Sequence, residues 1–175
     1  MPHGEPSFGQ FGAAIDMLDH AVLACPDELW RIRLWRDGSH EAEFSEFWNV
    51  VYHALFWLDL YLSGSVEGFA PPGPFGLEEL DPAGVLPGRP YAKDELKAYL
   101  DHGRQKCRAI MEGLTDERSR QVCVFPWGEL TFLELLLYNM RHVQEHAAQL
   151  NLILVQKVGS APGWVTRART GSSTE

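Results

Sequence analysis

Apolar residues recur at intervals of three and four along four stretches of the chain, the pattern of helices that each bury one face. Phe8, Phe11, Ile15, Leu18 and Val22 form one stripe over a first helix, predicted from Ser7 to Ala24 with Ser7 as N-cap and Pro26 as its stop. A second helix, from about Glu41 to Ser63, is apolar almost all round, which predicts a central element contacted on several sides. The third, about Tyr91 to Leu114, carries Leu96, Leu100, Gly103, Cys107, Ile110 and Leu114 at helical spacing, with Gly103 reading as a point of close packing. The fourth, Thr131 to Leu154, opens on a capping box formed by Thr131 and Glu134. His20 and His102 fall off their stripes and are expected to face solvent.

Between these helices lie three connections of different character. Asp27 to His40 has no regular period and reads as an irregular connection laying Trp30 and Trp35 over the end of the bundle. Gly64 to Pro90 is dense in Gly and Pro, too broken for more than a turn or two, and serves either as a lid or as a plain traverse of the bundle. Thr115 to Leu130 reads as a connection whose Phe125-Pro126-Trp127-Gly128 forms a turn with aromatic cover. The predicted fold is therefore all-α, a four-helix bundle with one long crossover between helices 2 and 3. Residues 1–160 form a single domain in this reading, and 161–175 a polar, mobile tail anchored only at Trp164.

The polar exceptions on the apolar helices carry the candidate chemistry. His142 and His146 stand one turn apart on one face of the fourth helix, with Asn139 and Gln149 close to the same line. On the second helix Glu46, Asn49 and His53 fall three and four apart, again on one line. Such groups inside a bundle need partners, at about 1–3 kcal/mol for each left unsatisfied. The residues alone leave two readings open: hydrogen bonds between helices, or His53 meeting His142 and His146 around a metal ion. Three neutral imidazoles suit Zn, Ni, Fe, Mn or Cu and leave a position for water or substrate.

Two other metal patterns fit poorly. His142-Val-Gln-Glu145-His146 matches the five residues of an inverted zinc-peptidase motif, but that motif takes a further carboxylate ligand well downstream, where only the tail follows. A di-iron carboxylate bundle needs Glu-x-x-His pairs; Asn139 precedes His142 by three, and no other histidine has a Glu there.

Composition narrows the partners. The 175 residues are 45% hydrophobic and 22% charged, with a net charge of −9, which argues against a phosphate-tracking surface and so against nucleic acid. Cys25, Cys107 and Cys123 are an odd number without a close pair, so no disulfide framework is expected and a reducing cytoplasm is the natural compartment. The start MPHGEPSFGQ shows no secretory pattern, and the longest apolar run, Phe47 to Leu62, contains His53 and Asp59 and is short of a membrane span.

The segments VVYHALFWLDLYLSG and GELTFLELLLYNMRHVQEHAAQLNLIL resemble the DinB/YfiT-like superfamily, four-helix bundles with one histidine on the second helix and H-x-x-x-H on the fourth. The resemblance runs from about Ser7 to Gln156 and is most specific around RHVQEHAAQL. It implies His53, His142 and His146 as a metal triad, a divalent ion (often Zn or Ni) with water completing its shell, and a homodimer. It also implies thiol-dependent chemistry, the transfer of low-molecular-weight thiols such as bacillithiol or mycothiol, or isomerisation using them. The expected function is thus a metal-dependent thiol transferase or hydrolase of small molecules, with Asn49, Asn139, Gln149 and Glu46 as candidates to orient the imidazoles or a substrate. The alternative is a non-catalytic, metal-stabilised bundle acting as a stress-response or dimeric interaction protein.

Overall fold

The computed structural model describes residues 4–35 and 42–168. The helices are α1 (Gly4–Ala24), α2 (Phe47–Ser63), α3 (Lys93–Glu112), the single-turn α4 (Asp116–Arg120) and α5 (Phe132–Val158); strands β1 (Val122–Phe125) and β2 (Gly128–Thr131) form a small hairpin. Helices α1 and α2 each pack on both α3 and α5, so they sit diagonally across a four-helix bundle. The fold is all-α apart from the hairpin, as the periodicity predicts.

Burial follows the sequence pattern. Phe8, Phe11, Ile15, Leu18 and Val22 are all buried along α1, at about 1.5–3 kcal/mol for each large apolar side chain fully removed from water. Of the 17 residues of α2, only His53, Trp57 and Ser63 escape full burial. Gly103 on α3 faces Leu58, and a Cβ there would lie 2.9 Å from a Leu58 methyl, so the missing side chain is what lets α2 and α3 approach. His102 is exposed as expected, whereas His20 is half-buried.

The ends of the elements depart from expectation in instructive ways. α1 begins at Gly4, so Ser7 lies within the helix and is not its cap. The predicted second helix starts late: Ala42–Ser45 is a 3-10 turn, and Glu46 is an extended N-cap residue before Phe47. The cause is the preceding segment. Leu34 N–H donates to Ser45, Phe47 N–H to Ile32 and Trp48 N–H to Trp30, so the 30–34 backbone competes for the groups a longer helix would use. Residues 36–41, the end of the irregular connection and the predicted start of the second helix at Glu41, lie outside the described residues.

The 115–130 connection holds more structure than its sequence suggested. Thr115 caps α4 by accepting from Arg118 N–H, and the hairpin then pairs Val122 with Thr131 and Phe125 with Gly128, with Pro126-Trp127 at its turn. Thr131 ends β2 and caps α5; its hydroxyl accepts from Glu134 N–H, while the Glu134 carboxylate takes the Thr131 N–H at 2.9 Å. Gly159, in the left-handed region, closes α5 one turn later than predicted. The tail turns back over α1: Ala168 is buried and its N–H donates to the Gly9 carbonyl, whereas Trp164, the expected anchor, is 70% exposed. No described helix is long and apolar enough to cross a membrane.

Asp59 is the most deeply buried charged residue among those described. It is 1% exposed and accepts from Lys106 Nζ at 2.5 Å and from the Tyr99 hydroxyl at 3.2 Å, joining α2 to α3. Lys106→Met strands that carboxylate and is expected to cost about 3 kcal/mol of unfolding free energy in urea titration, whereas the pair Asp59→Leu/Lys106→Met recovers most of the loss. Thr131→Ala removes one oxygen from the α5 capping box, and the same titration should report a loss of about 1 kcal/mol.

Candidate metal centre

The close packing of α2 on α5 brings three histidines together. Asn139, fully buried on α5, donates from Nδ2 to the Leu58 carbonyl of α2 at 3.0 Å, which fixes the register between the two helices. In that register His53 faces His142 and His146. The His142 Nε2 lies 3.2 Å from His53 Nε2 and 3.0 Å from His146 Nε2, and the three donor nitrogens fall within 4.8 Å of one another. Nitrogens bonded at about 2.0–2.1 Å to one ion sit about 2.8–3.4 Å apart for bond angles between 90° and tetrahedral. The two short separations match that range.

The outer ring nitrogens decide which way the lone pairs point. His53 Nδ1 is 2.7 Å from Glu79 Oε2, and His146 Nδ1 is 2.9 Å from Gln149 Oε1. Both partners are acceptors, so each ring carries its proton on Nδ1 and turns an Nε2 lone pair inward. A proton on His142 Nε2 would serve one inward lone pair; a cation between the rings serves all three. His142 Nδ1 is buried and has no partner.

Electrostatics keep the cluster ready for a cation. Burial, then the neighbouring His146 and His53, push the His142 pKa down to about 2; burial and His53 also lower that of His146, against the pull of Gln149. Neutral imidazoles are the form that ligates metal. Aromatic rings close the His142 side: Trp127 stacks on Phe125 and on Tyr138, and Tyr61 meets both Trp127 and His142 edge-on. The other side opens into a cleft of about 300 Å³ that reaches His53 and His146.

The remaining predicted site residues separate. Gln149 orients His146, as its place on the helix suggested. Asn49 lines the cleft and donates to the Phe44 carbonyl at 3.1 Å. Asn139 is a tie between helices and does not reach the imidazoles' outer nitrogens. Glu46 does not share a line with Asn49 and His53, because it precedes α2; Arg31 at 2.9 Å and Trp48 Nε1 at 2.6 Å hold its carboxylate instead.

Glu79 is the residue that pattern reading missed. It stands on the 3-10 turn Glu78–Leu80 of the crossover, and one oxygen takes both the His53 ring and Trp57 Nε1, the latter at 2.8 Å. His53 and Trp57, one turn apart, are the half-buried positions of α2 that this turn covers. The available signal was the Glu78-Glu79 pair, which follows ten residues without a charge.

No curated protein and no solved structure matches the chain. A family model, described as the DinB superfamily, matches residues 10–150, a span that contains His53, His142, His146 and the crossover. The chain belongs to the DinB superfamily.

Proposed function

We propose that the protein is a divalent-metal-dependent enzyme acting on small molecules, a thiol transferase or a hydrolase, with His53, His142 and His146 holding the ion. The observation that carries this reading is the convergence of three Nε2 atoms while Glu79 and Gln149 engage two of the outer nitrogens. Three neutral imidazoles suit Zn or Ni, and Fe, Mn or Cu are compatible with the same donors. When bound, such an ion supplies a Lewis-acid position that lowers the pKa of a thiol or a water molecule.

The chain's own groups do the rest. Glu79 holds the His53 ring in one orientation and one tautomer, and Gln149 does the same for His146. Tyr61 packs edge-on against His142, and Trp127 and Tyr138 pack on Tyr61 in turn. Small molecules reach the imidazoles from the cleft side, along His53 and His146. Structural zinc sites take four protein ligands and are closed, whereas a three-histidine set beside a cleft favours catalysis.

After reconstitution with Zn²⁺, metal analysis is expected to find one equivalent in the wild type and none above background in His142→Ala; absence of stoichiometric metal in both sinks the reading. In the Co²⁺-substituted protein an added thiol should change the visible spectrum, and an unresponsive spectrum would instead favour an ion that only stabilises the fold. Glu79→Gln keeps the side-chain shape but weakens the hold on His53, and competition with a chelating dye should show metal affinity reduced by about 10–100-fold.

A further inference from the structure

The cleft beside the imidazoles is one-sided in its chemistry. Its polar wall is the crossover, which supplies Glu78, Glu79 and Asp81; no Lys or Arg is among the described residues that line it. It also offers apolar and aromatic surface from Trp35, Phe44 and Val50. Trp35 is 40% exposed, so its ring is accessible to a ligand.

These carboxylates are held in place by the fold. Glu78 Oε2 accepts from the Tyr52 hydroxyl at 3.3 Å and lies against Gly76, where a Cβ would sit 2.5 Å from that oxygen. Any side chain at position 76 would therefore displace the Glu78 carboxylate. Asp81 Oδ1 accepts from Ala83 N–H at 2.9 Å, and Glu79 is fixed by His53 and Trp57. Glu78 and Asp81 each use one oxygen within the protein, which leaves the second for a ligand.

A separate observation points the same way. Asn49 is 3% exposed, lines the cleft and uses its amide nitrogen on Phe44, yet its Oδ1 is buried without a partner among the described residues. A buried acceptor of this kind is normally satisfied, so it marks a place where a donor is missing. The cleft thus presents acceptors, negative charge and aromatic faces together, which is the chemistry that recognises ammonium groups. A divalent ion on the histidines would leave the balance negative, three carboxylates against two positive charges.

We propose that this cleft takes a small ligand bearing an ammonium group and an apolar portion, with the ammonium on the Glu78–Asp81 wall and the apolar part against Trp35 and Phe44. The inference deepens the metal-enzyme reading by naming the charge class of its substrate, and it rests on that reading only for the ligand's second anchor at the imidazoles.

Isothermal titration of the full chain separates the two. With Zn²⁺-loaded protein the probes are cysteamine, 2-mercaptoethanol and 3-mercaptopropionate, which share one thiol-bearing chain and differ in end-group charge. With metal-stripped protein they are 2-phenylethylamine and 3-phenylpropionate. The cationic member of each set is expected to bind at least about 10-fold more tightly than the anionic one, a preference that shrinks as salt screens it. The double variant Glu78→Gln/Asp81→Asn should lose the preference while its metal content and circular dichroism stay as in the wild type. Should Glu78→Gln disturb the fold, Asp81→Asn alone, at an exposed position, should lose part of it. Equal or reversed affinities, no binding in either set, or a preference that survives in these variants overturns the proposal. Failure to take up metal sinks the enzyme reading instead, and the phenyl probes still read the charge order.

Discussion

Three imidazoles that meet inside an apolar bundle impose a condition the rest of the structure has to satisfy. With Nε2 atoms 3.0 and 3.2 Å apart, the rings cannot all be protonated, and burial together with the neighbouring His146 and His53 drives His142 to the neutral form. For His53 and His146 an acceptor stands behind the ring and takes the proton of the outer nitrogen. Glu79 and Gln149 are those acceptors, one from the crossover and one from a turn further along α5. The geometry of the centre is thus decided as much by what lies behind the rings as by the rings themselves.

Bringing those rings together depends on α2. Leu58, one turn beyond Ala54 on that helix, takes part in two of the contacts that seat it: its carbonyl accepts from Asn139 of α5, and its methyl fills the space that Gly103 leaves on α3. Asp59, the next residue, is bound by Lys106 and Tyr99. A slip of one residue along α5 would move His142 by about 1.5 Å and rotate it about 100° away, enough to dissolve the cluster. The polar groups near Leu58 therefore act on the centre through helix register, although none of them touches it.

Spacing made the bundle and the α5 capping box readable before any coordinates, and it made the meeting of His53 with His142 and His146 one of two open readings, the one the family resemblance implied. Each depends on local spacing or on helices that have to be neighbours. Glu46 misled because the same spacing argument assumes a helix, and the 30–34 segment takes the hydrogen bonds that would have extended α2 back to it. Glu79 escaped because a Gly- and Pro-rich crossover has no period from which a direction can be read; its position is set by covering His53 and Trp57, a tertiary matter. The hairpin was similarly hidden: its strands are four residues each, and their outward Val122 and Val124 are exposed, so the alternation is too brief to stand out.

The turn Glu78–Leu80 has two neighbouring carboxylates with different duties, Glu79 behind His53 and Glu78 on the wall of the cleft. Adjacent residues on one tight turn cannot be repositioned separately. A change that shifts the backbone of this turn would move the cleft wall and the group behind His53 together, whereas an isosteric side-chain change at Glu78 alters the charge of the wall alone. The four long helices, by contrast, can diverge wherever they do not touch the cluster, and the lineage of such a protein would record its changes of clientele in the crossover first.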